Sequence, residues 1–337
     1  REGGSLQTRE IHLVEYPNGL PTPEHFRLVR TELPDPQDGE VLVRNRFMSV
    51  DPYMRGRMRE SNPYFTPFEI GAVLEGGSVG EVITSNSGNL AAGDFVTGFY
   101  GWREHFVAAA DSLRRVDPKR ASLSTHLGTL GMPGMTAYVG LLDVGQAESG
   151  QTVYVSAASG AVGSIVGQIA RVKGCHVVGS AGSDEKVAWL RDEARFDAAF
   201  NYKSEGDLSS QLARHCPDGI HVYFDNVGGI HLEAALEHMK FHGRIVLCGM
   251  IAQYNATVPT PGPANMMLAV GKRLTLQGFI VSDYNHRGAD FHSDMAAWIE
   301  AGEITWRETV IQGLERSPDA FIGLFKGDNI GKMVVEI

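Results

Sequence analysis

The segment Val153-Tyr154-Val155-Ser156-Ala157-Ala158-Ser159-Gly160-Ala161-Val162-Gly163 constrains this chain more than any other. Three apolar β-formers run into a turn of small residues with the spacing Ala-x-Gly-x-x-Gly, at Ala158, Gly160 and Gly163. A helical stretch from Ala161 to about Lys173 follows. A strand that turns directly into a helix presents backbone N–H groups at the helix N-terminus, where the dipole favours negative charge. Gly160, without a Cβ, lets a pyrophosphate approach those amides, and Gly163 lets the helix pack close to the strand. Taken alone, the same spacing describes a tight strand–helix junction with no ligand, so its surroundings decide.

Those surroundings alternate. Thr152–Ser156, His176–Ser180, Ala198–Asn201, His221–Phe224, Arg244–Cys248 and Leu274–Ile280 read as buried strands, with a further helix over Asp184–Glu193. The pattern predicts an α/β class with a doubly wound parallel six-stranded sheet. Ahead of it, residues 1–130 read as β-rich, with strand candidates Glu40–Phe47, Gly80–Ile83 and Asp94–Phe99 and few helical periods. After residue 302 the chain turns β-like again, and Lys332–Ile337 reads as a terminal strand that returns to the first domain. The expected division is therefore 1–130 with 303–337, and 131–302 between them.

Composition narrows the function classes. A net charge of −10 argues against a nucleic acid or an anionic membrane as partner. No stretch approaches the ~18 apolar residues of a membrane span, and the opening Arg1-Glu2-Gly3-Gly4-Ser5 carries no apolar signal core. Three cysteines, Cys175, Cys216 and Cys248, fit a reducing compartment, and a cytoplasmic protein is expected.

In open α/β sheets, ligands gather at the carboxyl ends of the strands. The second strand ends in Gly179-Ser180-Ala181-Gly182-Ser183, without the acid that would take a ribose hydroxyl. Asp184 and Glu185 come late and read as first-turn helix residues. Lys186 follows, able to meet a 2′-phosphate, and Tyr202 can add a hydroxyl. The pattern favours NADP(H) over NAD(H); the plainer reading of Lys186 is a solvated helix lysine. Asn226 ends the fourth strand, and at Cys248 the backbone is expected to matter more than the thiol.

No metal site is expected. No Cys-x-x-Cys occurs, and His105 and His126 stand isolated. Charge developing on a substrate oxygen must then be met by hydrogen-bond donors, which directs the chemistry towards enolate-forming reduction of a conjugated C=C.

Five blocks now resemble one family: Val50–Met58, Gly131–Tyr138, the Ala157–Gly163 turn, Phe224–Gly229 and Cys248–Asn255. Together they are similar to the zinc-free medium-chain dehydrogenase/reductases, in the subgroup of leukotriene B4 12-hydroxydehydrogenase, prostaglandin, curcumin and alkenal double-bond reductases. The resemblance implies a GroES-like catalytic domain, a Rossmann domain and a homodimer. It implies NADPH contacts at Gly160, Ala161, Val162 and Gly163, then at Lys186, Tyr202 and Asn226. Others fall at Cys248, Gly249, Met250, Ile251 and Tyr254, at Phe279, Ile280 and Val281, and at Asn329. The substrate would be a small α,β-unsaturated aldehyde or ketone (a 2-alkenal, enone, 15-oxoprostaglandin or curcumin-like compound), reduced by hydride delivery to its β-carbon.

Tyr254 is the first candidate to stabilise the enolate, because it follows the fifth strand, and Tyr53 the second; the proton returns from tyrosine or water. Either ring could instead be packing or flanking. Tyr64 is a candidate lining of the substrate entrance. Arg55 and Arg57 could attract a carboxylate tail, though solvated loop residues are the plainer reading. Two other readings stay open: a zinc-independent quinone oxidoreductase, and a catalytically idle NADPH-binding protein.

Overall fold

The computed structural model describes residues 4–204 and 206–337; the opening Arg1-Glu2-Gly3, read above for a signal core, lies outside them. The chain divides into two compact units, one of residues up to Leu127 with Glu308–Asn329 and Met333–Ile337, the other Gly128–Arg307 with Ile330–Lys332.

The first unit opens with β1 (Leu6–Leu13), which pairs antiparallel with β2 (Phe26–Leu33). There follow β3 (Glu40–Ser49), the short helix α1 (Met54–Arg57), β4 (Ser78–Ser85), β5 (Phe95–Gly98), β6 (His105–Ala109) and β7 (Arg114–Val116).

The second unit contains α2 (Met132–Val139), β8 (Thr152–Val155), α3 (Gly163–Val172), β9 (His176–Ala181), α4 (Asp184–Asp192) and β10 (Ala198–Asn201). It continues with α5 (Leu208–His215), β11 (Ile220–Asp225), α6 (Gly229–His238), β12 (Met239–Leu247), α7 (Leu268–Gly271), β13 (Thr275–Gly278) and α8 (Gly288–Glu300). The chain then returns to the first unit with β14 (Glu308–Gln312), α9 (Ser317–Gly323) and β15 (Lys332–Glu336).

The second unit holds the expected six-stranded sheet, in the order β10-β9-β8-β11-β12-β13, with every pairing parallel. This is the doubly wound order, which reverses direction beside β8 and leaves a crevice at its carboxyl end. Alternation along the strand builds both layers: Val153 and Val155 enter the core under α2 and α3, while Tyr154 enters the opposite one with Phe200, Leu212 and Tyr223. All three residues are fully buried, as expected for a strand covered on both faces.

In the first unit, β14, β15, β3, β4, β5 and β7 lie side by side in one mixed sheet, with β6 on β3. The terminal strand is held by antiparallel pairing of Val334 with Ser49 and Glu336 with Phe47. Its core gathers Ile11, Leu13, Met48, Met54, Trp102 and Phe321. Among the described residues, no helix is long and apolar enough to cross a membrane.

Candidate active site

The glycine turn occupies Ser156–Val162, between the end of β8 and the start of α3, which begins at Gly163, two residues later than its periodicity predicts. Ala157 takes a left-handed backbone, φ 46°. A Cβ on Gly163 would drive into the Ala157 carbonyl oxygen and come within 2.9 Å of the Ala158 Cα, so the chain itself demands glycine there. At Gly160 a Cβ would meet only the Ala157 carbonyl oxygen, at 3.4 Å. Among the described residues nothing forbids a side chain at Gly160, which fits a position kept bare for a ligand. Among the described residues, the amides of Ala161, Val162 and Gly163 donate to no acceptor. Unsatisfied donors at a helix N-terminus suit an anionic group such as a diphosphate.

The ends of β11 and β12 are laced together beside this turn. The Asn226 side-chain amide donates to the Ser156 carbonyl at 2.8 Å, and its backbone N–H to Ser156 Oγ at 3.1 Å. Asp225, fully buried, accepts at Oδ1 from the Tyr223 hydroxyl at 2.7 Å and from the Val227 and Gly228 amides at 3.0 and 2.8 Å. Burial raises its carboxyl above the ordinary range, against the pull of those donors. Its carbonyl accepts from the Cys248 and Gly249 amides, and the Asn226 carbonyl from the Ile251 amide. Burial pushes the Cys248 thiol up to about 12, so it stays protonated while its backbone ties the loop.

Tyr254 closes that loop. Its hydroxyl accepts from the Met250 N–H at 3.3 Å and would lie 2.8 Å from a Cβ on Gly249, so the bare Gly249 backbone makes room for it. Burial holds the phenol above its ordinary value, in the neutral form able to donate. Phe279 stands edge-on to Phe224, Ile280 is exposed, and Val281 opens a short 3-10 turn.

At the carboxyl end of β9, Ser183 caps α4 by accepting from the Lys186 N–H at 3.3 Å, and Asp184 and Glu185 occupy the first turn. The Tyr202 ring stands edge-on to His231, centroids 4.6 Å apart. His231 is buried and pushed down to about 4, so it packs as a neutral ring. Lys203, passed over in the sequence, places its ammonium 5.7 Å from the Tyr202 ring centroid. Its only signal there is adjacency to Tyr202.

The remaining candidates lie in the first unit. Tyr53 stands at the start of α1, half-buried, its ring 6.0 Å from that of Phe65. Its hydroxyl is buried without a hydrogen-bond partner among the described residues, and burial raises its pKa above the ordinary value. Tyr64 is 81% exposed. Asn329 ends this unit's middle segment.

The two arginines depart from the solvated reading. Arg55 is buried and donates to the Pro17 and Gly19 carbonyls at 3.1 and 3.0 Å. Arg57 pairs with Glu75 at 3.2 Å and covers the Phe68 ring. Both are occupied in contacts within the first unit. Among the described residues, no group of three or more His, Cys, Asp or Glu is placed to hold a metal ion.

Two family models match the chain: the N-terminal domain of oxidoreductase over residues 9–116, and zinc-binding dehydrogenase over residues 161–301. The chain is 43% identical to the NADPH-dependent curcumin reductase of Escherichia coli, covering 98% of this chain and 97% of that protein. It is 43% identical to the NADP(+)-dependent 2-alkenal reductase of Nicotiana tabacum, covering 98% of each. Among solved structures, CurA from Vibrio vulnificus in complex with NADPH superposes with a TM-score of 0.93 at 44% identity, covering 97% of this chain and 98% of that one.

Proposed function

The chain belongs to the medium-chain dehydrogenase/reductase family, in the branch of the curcumin and alkenal reductases, and from that premise we propose that it reduces the C=C bond of α,β-unsaturated aldehydes and ketones with NADPH. The observation that carries the reading is the row of open amides at Ala161, Val162 and Gly163, beside a Gly160 whose side-chain position the chain leaves free. Those amides would hold the diphosphate. Lys186 and Tyr202 would take the 2′-phosphate. Asn226, the backbone from Cys248 to Ile251, and Phe279 to Val281 would hold the nicotinamide end, and Asn329 is a further contact.

NADPH, when bound, supplies the hydride. The chain must add a donor for the substrate oxygen on which charge collects, and burial keeps Tyr254 in the neutral, donating form. Tyr53 is the second candidate donor, and Tyr64 a candidate substrate contact. The proton reaches the α-carbon from tyrosine or water.

The partner is a small molecule together with a second copy of the chain. Self-association is supported by the open edge of β13 and by Val258, Met267 and Val270, which are 71%, 83% and 77% exposed. The three cysteines, none in a disulfide, fit a cytoplasmic setting.

Following NADPH absorbance with trans-2-alkenals, enones and quinones tests the reaction. Depletion with alkenals or enones, and deuterium from C4-labelled NADPH at the product β-carbon, is expected. Depletion with quinones alone would move the protein to quinone reduction. No turnover despite tight cofactor binding would make it an idle binder. Light scattering in solution checks the dimer.

A further inference from the structure

Gly182 lies between the end of β9 and the cap of α4. A Cβ built there would stand 3.5 Å from the Tyr202 hydroxyl and 3.4 Å from the Lys203 ammonium. Two donors from the end of β10 thus converge on one small volume, kept open because residue 182 has no side chain. The volume lies at the carboxyl end of a parallel strand, where ligands of this fold gather.

Lys203 makes no ion pair among the described residues. The two nearby acids of α4 have other contacts: Asp184 accepts from the Asn201 side chain at 3.0 Å, and Glu185 lies 3.6 Å from Arg307. The Tyr202 face holds the ammonium only loosely, at 5.7 Å. A cation with no carboxylate partner among the described residues, beside a hydroxyl and a bare glycine, matches a phosphate, which brings roughly −1.5 to −2 charges and three acceptor oxygens. A ribose hydroxyl offers Lys203 no charge at all. We infer that Lys203 is a cofactor-specificity residue, a cationic contact for the 2′-phosphate that acts with Tyr202 across Gly182. The inference rests on the NADPH reading above.

The test is calorimetric titration of the purified chain with 2′,5′-ADP and with 5′-AMP, in the wild type, Lys203→Gln and Lys203→Arg. Lys203→Gln should weaken 2′,5′-ADP by about fivefold, the scale of a solvent-exposed ion pair. It should leave 5′-AMP unchanged, and Lys203→Arg should keep most of the affinity. The 2′,5′-ADP affinity of the wild type should also fall more steeply with salt than that of Lys203→Gln. Equal 2′,5′-ADP affinity in wild type and Lys203→Gln overturns the assignment while leaving the NADPH reading intact. So does an equal loss for both nucleotides, which would mark a structural effect. A wild type that binds 2′,5′-ADP no tighter than 5′-AMP removes the NADPH reading, and this inference with it.

Discussion

The amide of Gly331 donates to the carbonyl of Ser159 at 2.7 Å, so a residue near the end of the chain braces the glycine turn. Gly160 and Gly331 form an isolated parallel bridge at the same place. Gly331 holds φ 70°, and a Cβ on it would drive into the Arg307 carbonyl oxygen. Strain and overlap combine, so Gly331→Ala should cost roughly 2–4 kcal/mol. Urea denaturation checks the stability, and nucleotide affinity should fall alongside it because the turn loses its brace. A variant as stable as the wild type would show that the segment relaxes without cost.

Gly160 and Gly163 separate binding from folding. Gly160→Ala adds a methyl that meets only one carbonyl oxygen at 3.4 Å, so its thermal midpoint should stay close to wild type. Its affinity for NADPH should drop at least about tenfold, because the methyl would occupy the approach to the open amides. Gly163→Ala should be destabilised by about 1–3 kcal/mol, because its methyl meets the turn backbone. Calorimetry of both variants, paired with thermal melts, distinguishes the two roles; equal binding by Gly160→Ala and wild type would count against the diphosphate site.

Much of this frame was legible because apolar runs bounded by small residues leave a local signal. Ala198–Asn201 forms a strand at its predicted limits, and the terminal run forms β15. The parallel six-stranded sheet follows from strand–helix alternation. The fifth strand is longer than its pattern predicts: β12 starts at Met239, five residues before Arg244. Lys240, Phe241 and His242 are exposed, and His242 is at φ 64°, so the opening of that strand carries no buried-strand pattern. The sixth is shorter than its pattern predicts at both ends, because β13 is an edge strand with exposed residues and little packing to extend it. In the site, the turn announced itself through glycine spacing. The Ser159–Gly331 bond left no such trace, since pairing between distant segments has no local period. The buried state of Arg55 was equally hidden, because its partners are backbone carbonyls of a distant loop.

Asp225 should govern the shape of the loop that follows β11. Removing its carboxylate in Asp225→Ala leaves the Val227 and Gly228 amides without their acceptor, while the Tyr223 hydroxyl keeps only Ser156 Oγ, at 2.9 Å. A loss of about 2–4 kcal/mol and a higher KM for NADPH are expected. Asp225→Asn keeps an acceptor oxygen and should stay much closer to wild type. The pH dependence has a definite sign. Burial raises the folded pKa, so the folded state holds the proton more tightly than the unfolded chain. The stabilisation is complete below the ordinary carboxylate range and is lost as pH rises through the raised folded value. Denaturation midpoints measured across the acid range should show this falling limb in wild type and its flattening in Asp225→Asn.

Tyr254 and Tyr53 make different demands on kinetics. If the Tyr254 hydroxyl donates to the developing oxyanion, Tyr254→Phe should lower kcat by roughly 10²–10³ with little change in NADPH affinity. The same variant also strips the Met250 amide of its acceptor, so thermal melts must accompany the rates. Burial raises the phenol above its ordinary value near ~10, so the donor stays protonated through neutral and mildly alkaline pH. The kcat profile should therefore be flat there as far as this group is concerned, falling only beyond the ordinary tyrosine range. Tyr53→Phe removes a hydroxyl that has no partner among the described residues, so its fold should be unharmed. A rate loss in Tyr53→Phe matching that of Tyr254→Phe would make both rings donors. A full loss in Tyr53→Phe with a normal rate in Tyr254→Phe would transfer the role to the first unit and leave Tyr254 as part of the loop that holds the cofactor.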